Sequence, residues 1–285
     1  MKTKYLISIV GPTAIGKTAL SIELAQHFET EIISADSRQF FKEMQIGTAA
    51  PTSDELSSAK HHFIHHKSIK DEYNVGAFEK DALQCLEKLF QDKDAVIMVG
   101  GSGLYVDVIT KGIDHFPKVG SNIRKKLNKE LETKGLEVLQ EQLKALDPVS
   151  YNTIAIDNPH RVIRALEICI GSEKPYSSFL NKGKEKRNFK TITVGLTADR
   201  EMIYNRINQR VNIMMQKGLL EEVKGLLDSK DLNALNTVGY KELFNYLSGE
   251  CDLEFATSEI KKNTRRYAKR QMTWFNHLST RNLIK

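Results

Sequence analysis

Only three cysteines occur among 285 residues, at positions 85, 169 and 251. Odd in number and far apart, they exclude a disulfide framework and a C-x-x-C metal pattern, and they fit a reducing compartment. Long hydrophobic runs are also missing, so no segment is expected to cross a membrane. The opening Met1-Lys2-Thr3-Lys4 and the apolar stretch behind it imitate a secretion signal. That stretch is too short, however, and runs into a glycine loop instead of a cleavage site. Repeats and low-complexity tracts are absent as well. The expectation is a cytoplasmic globular monomer, either one large domain or a core with an insertion.

Acidic residues are scarce in one place. From Glu259 to Lys285 eight Lys/Arg face a single acid, so this stretch alone exceeds the net charge of +6 for the whole chain. A second basic excess lies at Lys182-Gly183-Lys184-Glu185-Lys186-Arg187. Localised positive charge points to a polyanionic partner, nucleic acid first.

What is present is most specific near the start. Gly11-Pro12-Thr13-Ala14-Ile15-Gly16-Lys17-Thr18 is a G-x-x-x-x-G-K-[ST] loop between an apolar run (Tyr5–Val10) and a helical pattern from Ala19. In that context backbone N–H groups cradle a phosphate, diphosphate or nucleotide. Lys17 adds charge, and the Thr18 hydroxyl is a ligand for Mg²⁺ on the same oxygens. Further apolar runs at Glu31–Asp36, Ala95–Val99 and Thr191–Leu196 alternate with helical patterns. This arrangement predicts an α/β fold whose parallel sheet is flanked by helices. The strand signal disappears between about Ile113 and Lys190, and everything after Arg200 reads as helix. The predicted division is a P-loop core with C-terminal helices over 1–112 and 191–285, carrying an all-helical insertion over 113–190.

Asp36 ends the second strand at the sheet edge that carries the loop, where open α/β sheets place their chemistry. It suits a general base, a Mg²⁺ ligand or a turn cap. The third apolar run ends in Gly100-Gly101-Ser102-Gly103, with no Walker-B carboxylate, which argues against nucleotide hydrolysis. The cluster His61-His62-Phe63-Ile64-His65-His66 has no Cys, Asp or Glu within it to complete a metal site. It is read as a strand whose alternate histidines face opposite sides, with a structural or substrate-edge role. Arg206 and Arg210, four apart on one helix face, are candidates to reach the phosphate pocket. On the last helix Ile260, Tyr267, Trp274 and Leu278 project to one line, expected to dock on the core. Lys261, Lys262, Arg265, Arg266, Lys269 and Arg270 project opposite as a basic strip.

Together these segments resemble the tRNA dimethylallyltransferases of bacterial type. The likeness rests on the P-loop, Ser34-Ala35-Asp36-Ser37-Arg38-Gln39, Gly47-Thr48-Ala49 and His61-His62-Phe63-Ile64. It continues through Gly100–Tyr105, Asn158-Pro159-His160-Arg161, Gly239-Tyr240-Lys241-Glu242 and Thr264–Phe275. No Cys/His zinc finger of the kind some eukaryotic relatives carry follows the final helix. The resemblance implies transfer of a dimethylallyl group from its diphosphate to N6 of adenosine 37, beside the anticodon of tRNA. It makes Asp36 the base, puts Lys17 and Mg²⁺ on the diphosphate, and gives that role also to Arg206 or Arg210, leaving open which. Ser102 stands where the family has a Thr beside the target base. The resemblance also implies tRNA contacts from Asp36, Ser37, Arg38, Gln39, Ser102, Arg124, His160, Arg161, Val162, Ile163 and Arg164. The insertion and the basic helix (Lys262, Arg266, Arg270) would grip the anticodon stem-loop. The rival readings are a P-loop small-molecule kinase and an NTP-gated RNA-binding protein.

Overall fold

The structure, a computed structural model, describes residues 2–180, 186–278 and 283–284. The chain forms two compact units, 1–111 with 187–285 and 112–186.

Six strands make the sheet of the larger unit: β1 (Tyr5–Val10), β2 (Ile32–Ser34), β3 (His61–His62), β4 (Ala95–Gly100), β5 (Lys190–Leu196) and β6 (Leu283–Ile284). Their order is β3-β2-β4-β1-β5-β6, and every pairing is parallel. β1 and β4 are buried almost throughout because helices cover both faces, as a parallel sheet requires. β5 departs from the expected buried run. Lys190, Thr191 and Ile192 are exposed, and among the described residues β6 pairs with Gly195 and Leu196.

The helices of this unit are α1 (Lys17–His27), α2 (Ser53–Ser58), α3 (Val75–Asp92) and α4 (Gly103–Lys111) before the smaller unit. The smaller unit contributes α5 (Ser121–Lys134), α6 (Leu136–Leu146), α7 (Pro148–Thr153) and α8 (Pro159–Ser172). After it come α9 (Arg200–Gln216), α10 (Leu219–Lys224), α11 (Tyr240–Leu247) and α12 (Leu253–Leu278). The sequence suggests one helix from Arg200 to Leu227. It breaks instead at Gly218, whose φ of 96° no helix accommodates.

Among the hydrophobic cores of the larger unit are these two. One packs Ile7, Ile9, Ile32 and Ile97 of the sheet against Ala25 of α1. The other gathers Val211, Leu219, Tyr240, Leu243 and Ile260 from the C-terminal helices around Phe41 and Met44. The smaller unit has a core of its own, Leu127, Leu139, Leu143, Val162, Ile163 and Leu166.

The second basic excess changes character. Lys182 to Glu185 lie outside the described residues, while the Arg187 side chain is 11% exposed. Its guanidinium pairs with Glu79 and donates to the carbonyls of Val108 and Ile109 at 2.7 and 2.9 Å. It anchors the chain where it re-enters the larger unit.

Candidate active site

The loop after β1 takes its shape from positive φ values: 149° at Gly11, 66° at Ala14 and 108° at Gly16, which caps α1. Such a path turns successive N–H groups inward, the condition for holding an anion. Lys17, the first residue of α1, folds over the loop and donates to the carbonyls of Gly11 and Pro12 at 2.9 and 2.8 Å. Burial lowers its pKa to about 8, with the nearby Asp36 carboxylate pulling upward and Arg210 downward. Thr18 follows on the same turn of α1.

Both candidate arginines of α9 reach this loop. Arg210 donates to the Thr13 hydroxyl and Arg206 to the Ile15 carbonyl, each at 3.3 Å. They differ in surroundings: Arg206 is exposed, whereas Arg210 is sheltered and close enough to Lys17 to depress its pKa. Of the two, Arg210 is the one whose charge reaches Lys17.

The second wall is built where β2 and β4 end. β4 adjoins β1 on one side and β2 on the other, so the glycine turn after β4 occupies the place beside the loop strand where an acid would sit in a hydrolase. Gly100 allows the close approach, since a Cβ there would lie 2.5 Å from the Ala35 carbonyl oxygen. Asp36 comes next. Its Oδ1 accepts the Arg38 N–H at 3.0 Å, so part of the carboxylate caps its own turn. Burial still raises the Asp36 pKa above the ordinary carboxylate value, against the opposing pull of the Arg38 N–H and the Lys17 charge. Ser102 heads α4, yet its hydroxyl turns toward the Ser37 N–H and hydroxyl, both at 3.3 Å. The Tyr267 hydroxyl of α12 is hydrogen-bonded to Ser102, and burial pushes its pKa up to about 12.

α12 closes the gap between the two walls. Gln271, 5% exposed, accepts the Thr13 N–H at 2.9 Å and donates to the Gly101 carbonyl at 2.8 Å. The motif around it contributed to the family likeness, but nothing in the spacing marked Gln271 or Tyr267 as part of the site. Glu222 was also missed. It accepts the N–H groups of Gln45, Ile46 and Gly47 and the Tyr240 hydroxyl, uniting two of the quoted motifs (Gly47-Thr48-Ala49 and Gly239–Glu242) that lie far apart in sequence.

Several expected contacts sit elsewhere. Arg38 spends its guanidinium on the carbonyls of Asn233, Ala234 and Asn236, and Gln39 donates to those of Thr48 and Ala49. In the smaller unit Val162 and Ile163 are core residues at 0% and 3% exposure, so their side chains present nothing to a partner. His160 and Arg161 are exposed at the start of α8, with Asn158 capping their N–H groups. Arg124 and Arg164 share Glu167, and Arg164 also lies 5.3 Å over the Phe116 ring.

The final helix only partly follows its projection. Ala256, Ile260, Ala268, Gln271 and Phe275 are buried, while Trp274 is 40% exposed and the Leu278 side chain lies outside the described residues. Arg265 is half-buried, donating to Asn208 at 2.7 Å, and Lys262 pairs with Glu259. The exposed basic residues are Arg266, Lys269 and Arg270. The histidine run is not one strand: His61 and His62 form β3, but Phe63 and His65 take φ values of 65° and 48° and turn the chain. His66 packs edge-on against Phe40, Phe63 and Tyr73. Among the described residues no cluster of His, Cys, Asp and Glu could hold a metal by itself, and no helix is long and apolar enough to cross a membrane.

Comparison with known proteins agrees with this architecture. The family model described as IPP transferase matches residues 39–278. The tRNA dimethylallyltransferase of Christiangramia forsetii is 63% identical over 273 residues, covering 96% of this chain and 90% of the relative. That of Flavobacterium johnsoniae is 62% identical over 278 residues, covering 95% and 90%. The crystal structure of full-length tRNA isopentenylpyrophosphate transferase from Bacillus halodurans superposes with a TM-score of 0.72 at 35% identity, covering 99% of this chain and 90% of that one. A eukaryotic dimethylallyltransferase solved acting on tRNA gives 0.79 at 29% identity, covering 95% and 70%. The family model begins after the loop and Asp36, but the longer alignments span nearly the whole chain. The chain belongs to the IPP transferase family, the family of the tRNA dimethylallyltransferases.

Proposed function

We propose that this protein transfers a dimethylallyl group from dimethylallyl diphosphate to N6 of adenosine 37 in tRNA and releases diphosphate. The observation that carries the reading is the meeting of two walls: an anion loop with Lys17 and Arg210 on one side, Asp36 and Ser102 on the other, joined by Gln271. The loop N–H groups, Lys17 and Arg210 take up charge that grows on the leaving diphosphate as the allylic C–O bond breaks. Asp36 receives the proton released when N6 forms the new C–N bond, and its burial-raised pKa suits a general base. Ser102, held by Ser37 and Tyr267, offers a hydroxyl at the edge of the adenine. To reach it the adenine must leave its stack, as base-modifying enzymes require.

The site also fits Mg²⁺. Magnesium bound to phosphates keeps most of its shell as ligand oxygens and water, needing only one or two protein oxygens. Thr18 supplies such a hydroxyl beside Lys17, and among the described residues it makes no side-chain hydrogen bond that would withdraw it. When bound, the ion would neutralise diphosphate charge. Grip on the anticodon stem falls to His160, Arg161 and Arg164 of the smaller unit and to Arg266 and Arg270 of α12, through phosphate contacts. A cytoplasmic monomer is the form in which we expect it to act.

A small-molecule kinase would leave the basic face of α12 without a role. The direct test mixes the protein with dimethylallyl diphosphate, Mg²⁺ and unmodified tRNA, then digests the RNA and weighs its adenosines. A prenylated adenosine is expected. Its absence with folded protein, together with phosphate release from ATP, would favour the kinase.

A further inference from the structure

Trp274 is the only tryptophan of the chain, and its side chain is exposed, at 40%. The helical projection assigns it to the core, yet its place in the fold is the rim of the site. The indole lies against Gly103, where a Cβ would fall 2.3 Å from Nε1, so only glycine at the residue after Ser102 lets it sit there. Single exposed apolar side chains are ordinary; what sets this ring apart is its place against Gly103, the residue after Ser102.

Its neighbours on α12 give the exposure a direction. Arg266, Arg270 and Trp274 follow at intervals of four residues and so share one side of the helix. All three are exposed. The Arg270 guanidinium stands 5.7 Å over the Tyr267 ring, and Tyr267 is bonded to Ser102. A row of two guanidinium groups ending in an aromatic face is how proteins hold single-stranded RNA. Charges track the phosphates, and a ring replaces the stacking partner of a base.

We propose that Trp274 is a stacking platform for the nucleobase adjacent to the extruded adenosine. This rests on the tRNA-modifying reading above. When the target adenine enters the pocket beside Ser102, each flanking base loses a neighbour. The indole next to Gly103 takes the vacated place against one of them, holding the loop open.

Because the chain has one tryptophan, its emission reports this position alone. Titrating the wild-type protein with an anticodon stem-loop RNA should quench that emission at saturation. Trp274→Ala should raise the KM for tRNA roughly 5- to 150-fold, the range for loss of one base–aromatic stack, with the KM for dimethylallyl diphosphate unchanged. Trp274→Phe should retain most of the affinity. An RNA made abasic at nucleotide 36 or 38 should, for one of the two, bind Trp274→Ala no worse than intact RNA does. Unquenched emission at saturation overturns the proposal, as does a KM change confined to the diphosphate substrate, where the ring would be lining the prenyl pocket. Independent penalties at both abasic positions overturn it too. Failure of the underlying function looks different: the wild-type protein would then give no prenylated adenosine at all.

Discussion

Gln271 and Thr13, 258 positions apart, are joined by a hydrogen bond in which the Gln271 Oε1 accepts the Thr13 N–H at 2.9 Å. The other end of the same amide donates to Gly101. One side chain therefore sets the spacing between the anion loop and the wall that carries Asp36 and Ser102. Gln271→Met keeps the volume and removes both bonds. It should lower the single-turnover rate about tenfold or more, because small misplacements of reacting groups are costly, while tRNA affinity stays near wild type. Gln271→Glu keeps the acceptor for Thr13 but loses the donor and adds negative charge beside the diphosphate, so it should also raise the KM for that substrate. Rapid-quench kinetics decide: a lower melting temperature with unaltered rates would reduce Gln271 to a structural tie.

Asp36 carries two opposed expectations. Asp36→Ala should cut turnover by about 10²–10⁴-fold with tRNA binding nearly intact. Its folded pKa is raised above 3.8, so ionised Asp36 costs stability. That cost is absent at pH below the unfolded value and sets in as pH rises through the folded one. Asp36→Asn, which keeps an acceptor for the Arg38 N–H, should then melt higher than wild type at neutral pH and lose the advantage in acid. Calorimetry across pH checks this, and equal melting at all pH values would contradict it.

Lys17 gives a pH dependence of the opposite kind. Its pKa falls from 10.5 to about 8 in the folded protein, so above about pH 8 the neutral amine prevails. A bound diphosphate favours the ammonium. Affinity should hold below about pH 8 and fall by at most about tenfold per unit above it, with a proton taken up on binding. Isothermal titration of inorganic diphosphate in buffers of different ionisation heat measures both. Affinity flat through that range, with no proton uptake, would refute the assignment.

The basic face of α12 should act unevenly. Arg266 and Arg270 are exposed, and each should reduce the salt slope of tRNA binding by about one when neutralised. Lys262 is already paired with Glu259 and should contribute less. Filter binding across salt concentrations reads the slopes; a dominant effect from Lys262 would reverse this ranking.

Glu222 holds three backbone N–H groups and the Tyr240 hydroxyl. Glu222→Ala leaves those donors unpaired and should cost about 3 kcal/mol. For a chain of this size that is a fall in melting temperature of roughly 6–12 °C. Thermal unfolding measures it, and a fall under about 2 °C would mean that water satisfies the loop.

The sequence was most readable where local physics dictates structure. The loop at Gly11–Thr18, the buried strand at Ala95–Gly100 and the long helix at Leu253–Leu278 follow from glycine placement, unbroken apolar runs and helical period. Asp36 was legible because strand ends gather at one sheet edge. Gln271, Glu222 and Arg38 were not, because each acts through partners more than a hundred residues away, and no spacing rule reports a bond of that reach. Trp274 misled for a different reason. A helical projection treats every large apolar residue as core, and it cannot sense that the surface opposite is the glycine turn that carries Ser102.

The reach of Gln271 has a consequence for how the protein comes into being. The anion loop leaves the ribosome well before the side chain that ties its Thr13 N–H, which belongs to a residue translated 258 steps later. Until α12 has emerged and docked, the two halves of the site stand unlinked, whatever the state of the sheet between them. A chain lacking α12 would carry the phosphate signature without the side chain that ties it to the Gly101 wall.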